Sequence, residues 1–117
     1  MDITKKAIDL FIDNDSLIST VIEEINLSKD ESGELQILLT ISNFHKKSTF
    51  SKINLLFNNI LEFDFYYNSD YTFYNIENYK LLYLNNLIYL SLDPDQSVNG
   101  RSEKDSDFIL ANSLKLV

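Results

Sequence analysis

Acidic residues are concentrated in one segment near the C-terminus, DPDQSVNGRSEKDSD, which spans residues 93–107. Its carboxylates are Asp93, Asp95, Glu103, Asp105 and Asp107. Carboxylate oxygens are ligands that calcium prefers, and a cluster of negative charge also attracts basic proteins. The segment could therefore be a calcium loop, an acidic binding surface for a protein, or a solvated connection between strands.

The register of the segment argues against calcium. Oxygen-bearing side chains occupy alternate positions from Asp93 to Asn99, as they do in an EF-hand loop. That loop also requires a glycine at its sixth position and a bidentate glutamate at its twelfth. Counted from Asp93, these positions hold Val98 and Lys104. We therefore expect no metal ion and no cofactor here.

Few residues of the chain could carry out catalysis. There is no cysteine, and the single histidine, His45, stands beside two lysines in a predicted exposed turn. No spacing suggests a histidine held between a nucleophile and a carboxylate. Carboxylate pairs can act as acid and base, but close pairs are expected by chance among 18 acids in 117 residues. Those pairs are Glu23 with Glu24, Glu62 with Asp64, and Asp105 with Asp107. The sequence predicts a protein that is not an enzyme.

The net charge of −8 limits the class of partner. Nucleic-acid backbones and anionic membranes would be repelled, whereas a basic protein would be attracted. Acidity can also serve solubility alone. The first residues, MDITKKAIDLFIDNDS, lack the long apolar run of a secretory signal, and no window approaches the ~18 apolar residues that span a bilayer. We expect a soluble cytoplasmic protein that binds neither nucleic acid nor membrane.

A helix and then a hairpin are predicted for the first third of the chain. Residues 2–13 place apolar side chains at helical spacing behind Asp2, a suitable N-cap. The segments LISTVIEEINL and ELQILLTISNF are typical of strands, and the turn residues SKDESG separate them. In the second segment, strict alternation puts four apolar residues on one face: Leu35, Ile37, Leu39 and Ile41.

The middle of the chain is compatible with either a helix or strands. Apolar residues between Ile53 and Leu61 fit helical spacing, but Asn58 and Asn59 are poor helix formers and are typical of a turn. The residues after Leu61 alternate as in a strand. We favour two short strands that are broken near Asn58 and Asn59.

The remaining elements complete a mainly β (α+β) domain. A second hairpin is predicted around Asn85 and Asn86, Pro94 ends its second strand, and DFILANSLKLV forms a final strand. The fold expected for residues 1–117 is a single domain, an antiparallel curled sheet or a sandwich with one N-terminal helix. The aromatic residues between Phe44 and Tyr89 are expected to fill its core, the alternative being a ligand-stacking surface.

Four stretches, in this order, resemble small bacterial immunity-type proteins of polymorphic toxin systems: NDSLISTVIEEINL, LLFNNILEFDF, YLSLDPD and SDFILANSLKL. The resemblance covers about residues 14–117, and its sharpest element is SLDPD followed by DSDFILA. It implies a non-enzymatic protein that binds and neutralises a cognate toxin domain. No catalytic residues are implied.

Many toxin domains are nucleases with basic clefts, and an acidic inhibitor would be steered toward such a cleft. The predicted partner-binding residues are the acids of the C-terminal loop, the acids of the first hairpin turn, and a group of tyrosines that would suit an interface. They are Asp93, Asp95, Glu103, Asp105 and Asp107; Asp30, Glu31 and Glu34; and Tyr66, Tyr67, Tyr71 and Tyr74. Alternatively, the acids are solvated loop charges, the tyrosines are half-buried, and the chain is a structural or accessory domain that self-associates through a strand edge.

Overall fold

The computed structural model describes residue 11 and residues 17–46, 51–70 and 74–117. The regular elements of the three longer ranges are strands. They are β1 (Val21–Lys29), β2 (Leu35–Ser42), β3 (Lys52–Asp64), β4 (Lys80–Leu84), β5 (Leu87–Asp93) and β6 (Ser106–Leu116). The predicted N-terminal helix lies outside these residues, except for Phe11, whose side chain is buried. Within the same ranges, no helix is both long enough and apolar enough to span a bilayer.

The strands form one antiparallel sheet in the order β1-β2-β3-β6-β5-β4. The sheet curls, because the segment leading into β4 meets the start of β1 at the opposite end of this order. Ile22 N–H donates to the carbonyl of Tyr74 at 2.7 Å, and Ile76 N–H donates to the carbonyl of Thr20 at 3.0 Å. The predicted mainly β fold with an antiparallel sheet is confirmed.

One apolar cluster fills the curled sheet, and each strand contributes a buried side chain to it. These include Ile22, Ile37, Phe57, Leu81, Leu90 and Ile109, in the order of the strands along the chain. In β2 the predicted alternation is confirmed at Ile37, Leu39 and Ile41, which are fully buried. The curled sheet therefore places its loops and its other face where they can meet solvent or a partner.

Both predicted hairpins are confirmed, and their turns explain why they form. Asp30 accepts hydrogen bonds from the N–H groups of Ser32 and Glu34 at 2.8 and 3.0 Å, which fixes the β1–β2 turn. In the β4–β5 turn, Asn85 and Asn86 have φ angles of 48° and 70°. Asparagine tolerates this left-handed region, as the two-residue turns that best match strand twist require.

Strand β3 corrects one prediction. The strand interpretation is confirmed over the helical one, but the predicted break at Asn58 and Asn59 is wrong, because β3 runs without interruption from Lys52 to Asp64. Asn58 pairs with Gln36 of β2 on one side and with Ser113 of β6 on the other. Asn59 has a φ of 54° and precedes a register shift between Ile60 and Glu62. The asparagines therefore accompany a bulge, where a left-handed residue is well tolerated.

Candidate functional site

The acidic loop after β5 covers the face of the sheet that lies opposite the apolar cluster. Tyr89 alternates with Ile88 and Leu90, which belong to that cluster, so its ring points to the other face. The ring is nevertheless fully buried. Its hydroxyl donates to Asp105 Oδ2 at 2.8 Å, which shows that the loop lies over it.

Asp105 is the centre of the contacts that hold this loop. Four groups donate to its carboxylate: the backbone N–H of Ser102 at 2.9 Å, that of Asp95 at 2.8 Å, the Lys80 ammonium at 3.0 Å, and the Tyr89 hydroxyl at 2.8 Å. The Lys80–Asp105 ion pair is buried, with side-chain exposures of 9% and 0%. A buried charge that is this fully paired stabilises the fold only as long as every donor stays in place.

The electrostatics of the loop agree with this geometry. Burial alone would raise the pKa of Asp105, but the hydrogen bonds from Ser102, Asp95, Lys80 and Tyr89 together lower it below its usual value. The hydroxyls of Ser97 and Ser102 and the backbone N–H of Ser97 lower the pKa of Asp95 to about 2. Both carboxylates are therefore ionised at neutral pH, and both are directed at donors within the loop.

Arg101 adds an aromatic contact to the same network. Its guanidinium lies 5.1 Å from the ring centroids of both Tyr89 and Phe108. It also pairs with Glu62 Oε2 of β3 at 2.6 Å. Arginine can stack on aromatic faces while its N–H groups still donate to carboxylates. This one side chain therefore connects the loop to β3, β5 and β6.

Asp107 is also directed inward. It belongs to β6, has a φ of 51° and is only 2% exposed. Its Oδ1 accepts a hydrogen bond from the backbone N–H of Tyr66 at 2.8 Å, which ties the connection after β3 to the start of β6. Asp105 and Asp107 are therefore buried and do not lie on an exposed acidic surface. Donors from β4, from β5 and from the loop itself face Asp105, and a backbone N–H of the connection after β3 faces Asp107.

The other predicted acids stay nearer to solvent. Asp93 and Glu103 are exposed and Asp95 is half-buried. In the first hairpin turn, Glu31 and Glu34 are exposed, whereas the Asp30 carboxylate is used by the turn itself.

The predicted tyrosines divide between two places. Tyr66, Tyr67 and Tyr74 are 58%, 65% and 49% exposed, whereas Tyr71 lies outside the described residues. Tyr67 and Tyr74 line one groove, while Tyr66 lines a different pocket near Asp93 and Asp107. The expectation that the aromatic residues fill the core holds for Phe57 and is wrong for these exposed tyrosines. Tyr89 is buried, but on the opposite face of the sheet, beneath the acidic loop.

The groove at the start of β1 has a volume of about 360 Å³. Apolar side chains and two acids line it: Ile22, Ile25, Phe65, Tyr67 and Tyr74, with Glu23 and Glu24. Phe63 lies beside Phe65 with ring centroids 5.7 Å apart and extends the aromatic surface. We call this site the β1 groove. It combines exposed aromatic rings with negative charge, as a surface that binds a basic protein would.

A β-bulge explains why both acids reach the groove. The register of β1 against β2 shifts between Ile22 and Glu24, and the neighbouring Glu23 and Glu24 side chains are both exposed. Glu23 pairs with Lys52 at 3.0 Å, and the hydrogen bond from this lysine lowers the Glu23 pKa. Among the described residues, no basic side chain forms an ion pair with Glu24.

Sequence reasoning found Tyr67 and Tyr74 but missed the apolar wall formed by Ile22, Ile25 and Phe65. The available signal was the pair of consecutive acids, Glu23 and Glu24, within a strand rich in β-branched residues. Two adjacent charges in such a strand indicate a bulge, because regular alternation would bury one of them.

Comparisons of the chain with protein families, with curated proteins and with solved structures found no match. Within the residues that the structure describes, no three acidic or histidine side chains are grouped so that they could hold a metal ion.

Proposed function

We propose that this chain is a non-enzymatic, immunity-type protein that neutralises a cognate bacterial toxin domain in the cytoplasm by direct, stoichiometric binding. The observation that carries the proposal is the β1 groove, in which the exposed rings of Tyr67 and Tyr74 stand beside Glu23 and Glu24. The partner is a protein domain with a basic surface.

The chemistry of this groove is that of a protein interface. Tyrosine is enriched among the residues that contribute most to binding, because its ring buries a large area while its hydroxyl can still form a hydrogen bond. The net charge of −8 supports a basic partner, which would be steered toward the chain at long range. This charge also opposes binding to nucleic acid or to an anionic membrane.

Self-association is the second candidate function, and the edge position of β1 favours it. Among the described strands, β1 has a neighbour on one side only, and an open strand edge can pair with a second copy. This function predicts a particle size that grows with protein concentration. The toxin-binding function predicts a size that stays constant until the partner is added.

A co-expression rescue tests the proposal. The C-terminal domain encoded by the neighbouring upstream gene is expressed in a test bacterium, and survivors are counted with this protein, without it, and with an unrelated acidic protein of similar size. Rescue by this protein alone supports neutralisation. If the neighbouring domain is not toxic, or if the unrelated acidic protein rescues equally well, the proposed function is wrong.

A further inference from the structure

Among the residues that the structure describes, β1 has a backbone partner along the whole of one edge and only at the start of the other. On one side it pairs with β2 from Val21 to Lys29. On the other side, residues 19–22 are hydrogen-bonded to residues 74–76. Beyond this contact, the backbone of residues 23–29 forms no hydrogen bond on that side to any residue that the structure describes. Such an edge presents N–H and C=O groups to which another strand can be added.

The β1 groove lies at the start of this open edge and shares residues with it. Ile22, Glu23, Glu24 and Ile25 belong both to β1 and to the lining of the groove. In strand addition, main-chain hydrogen bonds supply affinity, and pockets for alternate side chains supply specificity. The edge and the groove together provide both.

We infer that residues 23–29 of β1 receive an extended segment of the partner protein, which adds to the sheet as a further strand. Its apolar side chains enter the β1 groove against Tyr67 and Tyr74. Its basic side chains pair with Glu24 and with Glu23. The inference rests on the proposed function, because it states where and in what form the protein partner binds.

Charge decides between a foreign segment and a second copy at this edge. A second copy would bring the same acids, Glu23 and Glu24, and a second net charge of −8. Like charges at an interface are unfavourable and suppress wrong pairings. A segment with alternating apolar and basic residues meets the edge with opposite charge and with side chains that fit the groove.

The experiment uses the full-length chain, labelled with ¹⁵N, and a synthetic peptide of alternating lysine and valine about eight residues long, enough for one strand. The expected result is saturable shifts of the amide signals of residues 23–29, together with slower amide exchange there. A glutamate–valine peptide of the same length should bind at least about tenfold more weakly, because its charge is reversed. A lysine–glycine peptide should also bind more weakly, because it has no side chains to enter the groove.

Two charge reversals locate the site. Glu24→Lys should weaken binding of the lysine–valine peptide by about fivefold or more, whereas Glu103→Lys, with the same change in net charge but in the acidic loop, should change it less than about twofold. The inference is overturned if the peptide does not bind saturably, if the shifts lie in residues 93–105, or if both variants weaken binding equally. If the amide signals of residues 23–29 shift with protein concentration when no peptide is present, the inference is also overturned. A second copy of the chain would then be what binds at this edge.

The result of the peptide experiment can be distinguished from the result of the rescue experiment that tests the proposed function. Rescue of growth without peptide binding at residues 23–29 would keep the toxin-binding function and place its interface elsewhere. Peptide binding without rescue would keep the edge as a docking site and remove the toxin as its partner.

Discussion

The acidic loop after β5 and the β1 groove contain similar side chains, carboxylates next to aromatic rings, in opposite orientations. In the loop, the Asp105 carboxylate faces four donors and the Tyr89 ring is buried beneath it. In the groove, Glu24 and the ring of Tyr67 face solvent. Acidic density along the chain therefore does not show which carboxylates are accessible. The donors that the fold brings within reach decide whether a carboxylate stabilises the fold or remains accessible to a partner.

The largest expected effect comes from removing the charge of Asp105. The Asp105→Asn variant leaves the buried Lys80 ammonium without its counter-charge, which should lower the free energy of unfolding by about 3–5 kcal/mol. Urea unfolding measures this loss. The matched control is Glu103→Gln in the same loop, which is exposed and should change stability by less than about 0.5 kcal/mol. Equal effects of the two variants would show that the loop network does not stabilise the fold.

Lowering the pH should reproduce part of this loss of unfolding free energy. The pKa values of Asp105 and Asp95 are lowered in the folded protein, that of Asp95 to about 2, while an unperturbed aspartate has a pKa of about 3.9. Their contribution is therefore fully present above the unfolded-state value and is lost as the pH falls through the folded-state values. The urea midpoint should drop between about pH 4 and pH 2. The drop should be smaller in Asp105→Asn; an equal drop would contradict this account of Asp105.

Asp107 should have an intermediate effect. Asp107→Ala leaves the Tyr66 N–H without its acceptor and puts alanine at a φ of 51°. Loss of the acceptor for this partly buried donor, together with the strain of alanine at a left-handed φ, should cost about 1–3 kcal/mol of unfolding free energy, measurable in urea. Asp107→Asn keeps an acceptor oxygen and tolerates the left-handed backbone, so it should retain most of the stability. If asparagine were as destabilising as alanine, the negative charge rather than the acceptor would be what matters.

Arg101 should have a smaller effect on stability than Asp105 or Asp107. Arg101→Met removes its contacts with the Tyr89 and Phe108 rings and its ion pair with Glu62. Because the guanidinium is partly exposed, the loss should be about 1 kcal/mol. Lys104→Met, which removes the same charge from the same loop, should stay within about 0.5 kcal/mol of the parent. Urea unfolding of the pair separates stacking from charge, and equal losses would assign the effect to charge alone.

Local patterns predicted much of the fold and little of the site. The alternation in β2 and the Asn85–Asn86 turn are short-range signals, and both were confirmed. The continuity of β3 could not be predicted locally, because Asn58 is held by pairing with two other strands. Burial of Asp105 likewise depends on Tyr89 and Lys80, which lie 16 and 25 residues away in sequence.

The β1 groove could not be predicted from the sequence either, because it also depends on contacts between residues that are distant along the chain. Its walls come from β1, from the connection after β3, and from Tyr74, and they meet only because residues 74–76 are hydrogen-bonded beside residues 19–22. The exposed tyrosines in its wall could be suspected from composition and position. The strand edge beside them required the topology of the sheet.

The central claim is that the acids of the β1 groove face a partner while the buried Asp105 and Asp107 hold the fold. The most direct test is a co-expression rescue against the C-terminal domain encoded by the neighbouring upstream gene, after that domain has been shown to be toxic. The parent chain, Glu24→Lys and Glu103→Lys are compared at equal soluble levels. The account predicts that Glu103→Lys rescues as the parent does and that Glu24→Lys lowers survival at least about tenfold. Full rescue by Glu24→Lys, with loss of rescue in Glu103→Lys, would contradict it and would make the acidic loop the binding surface.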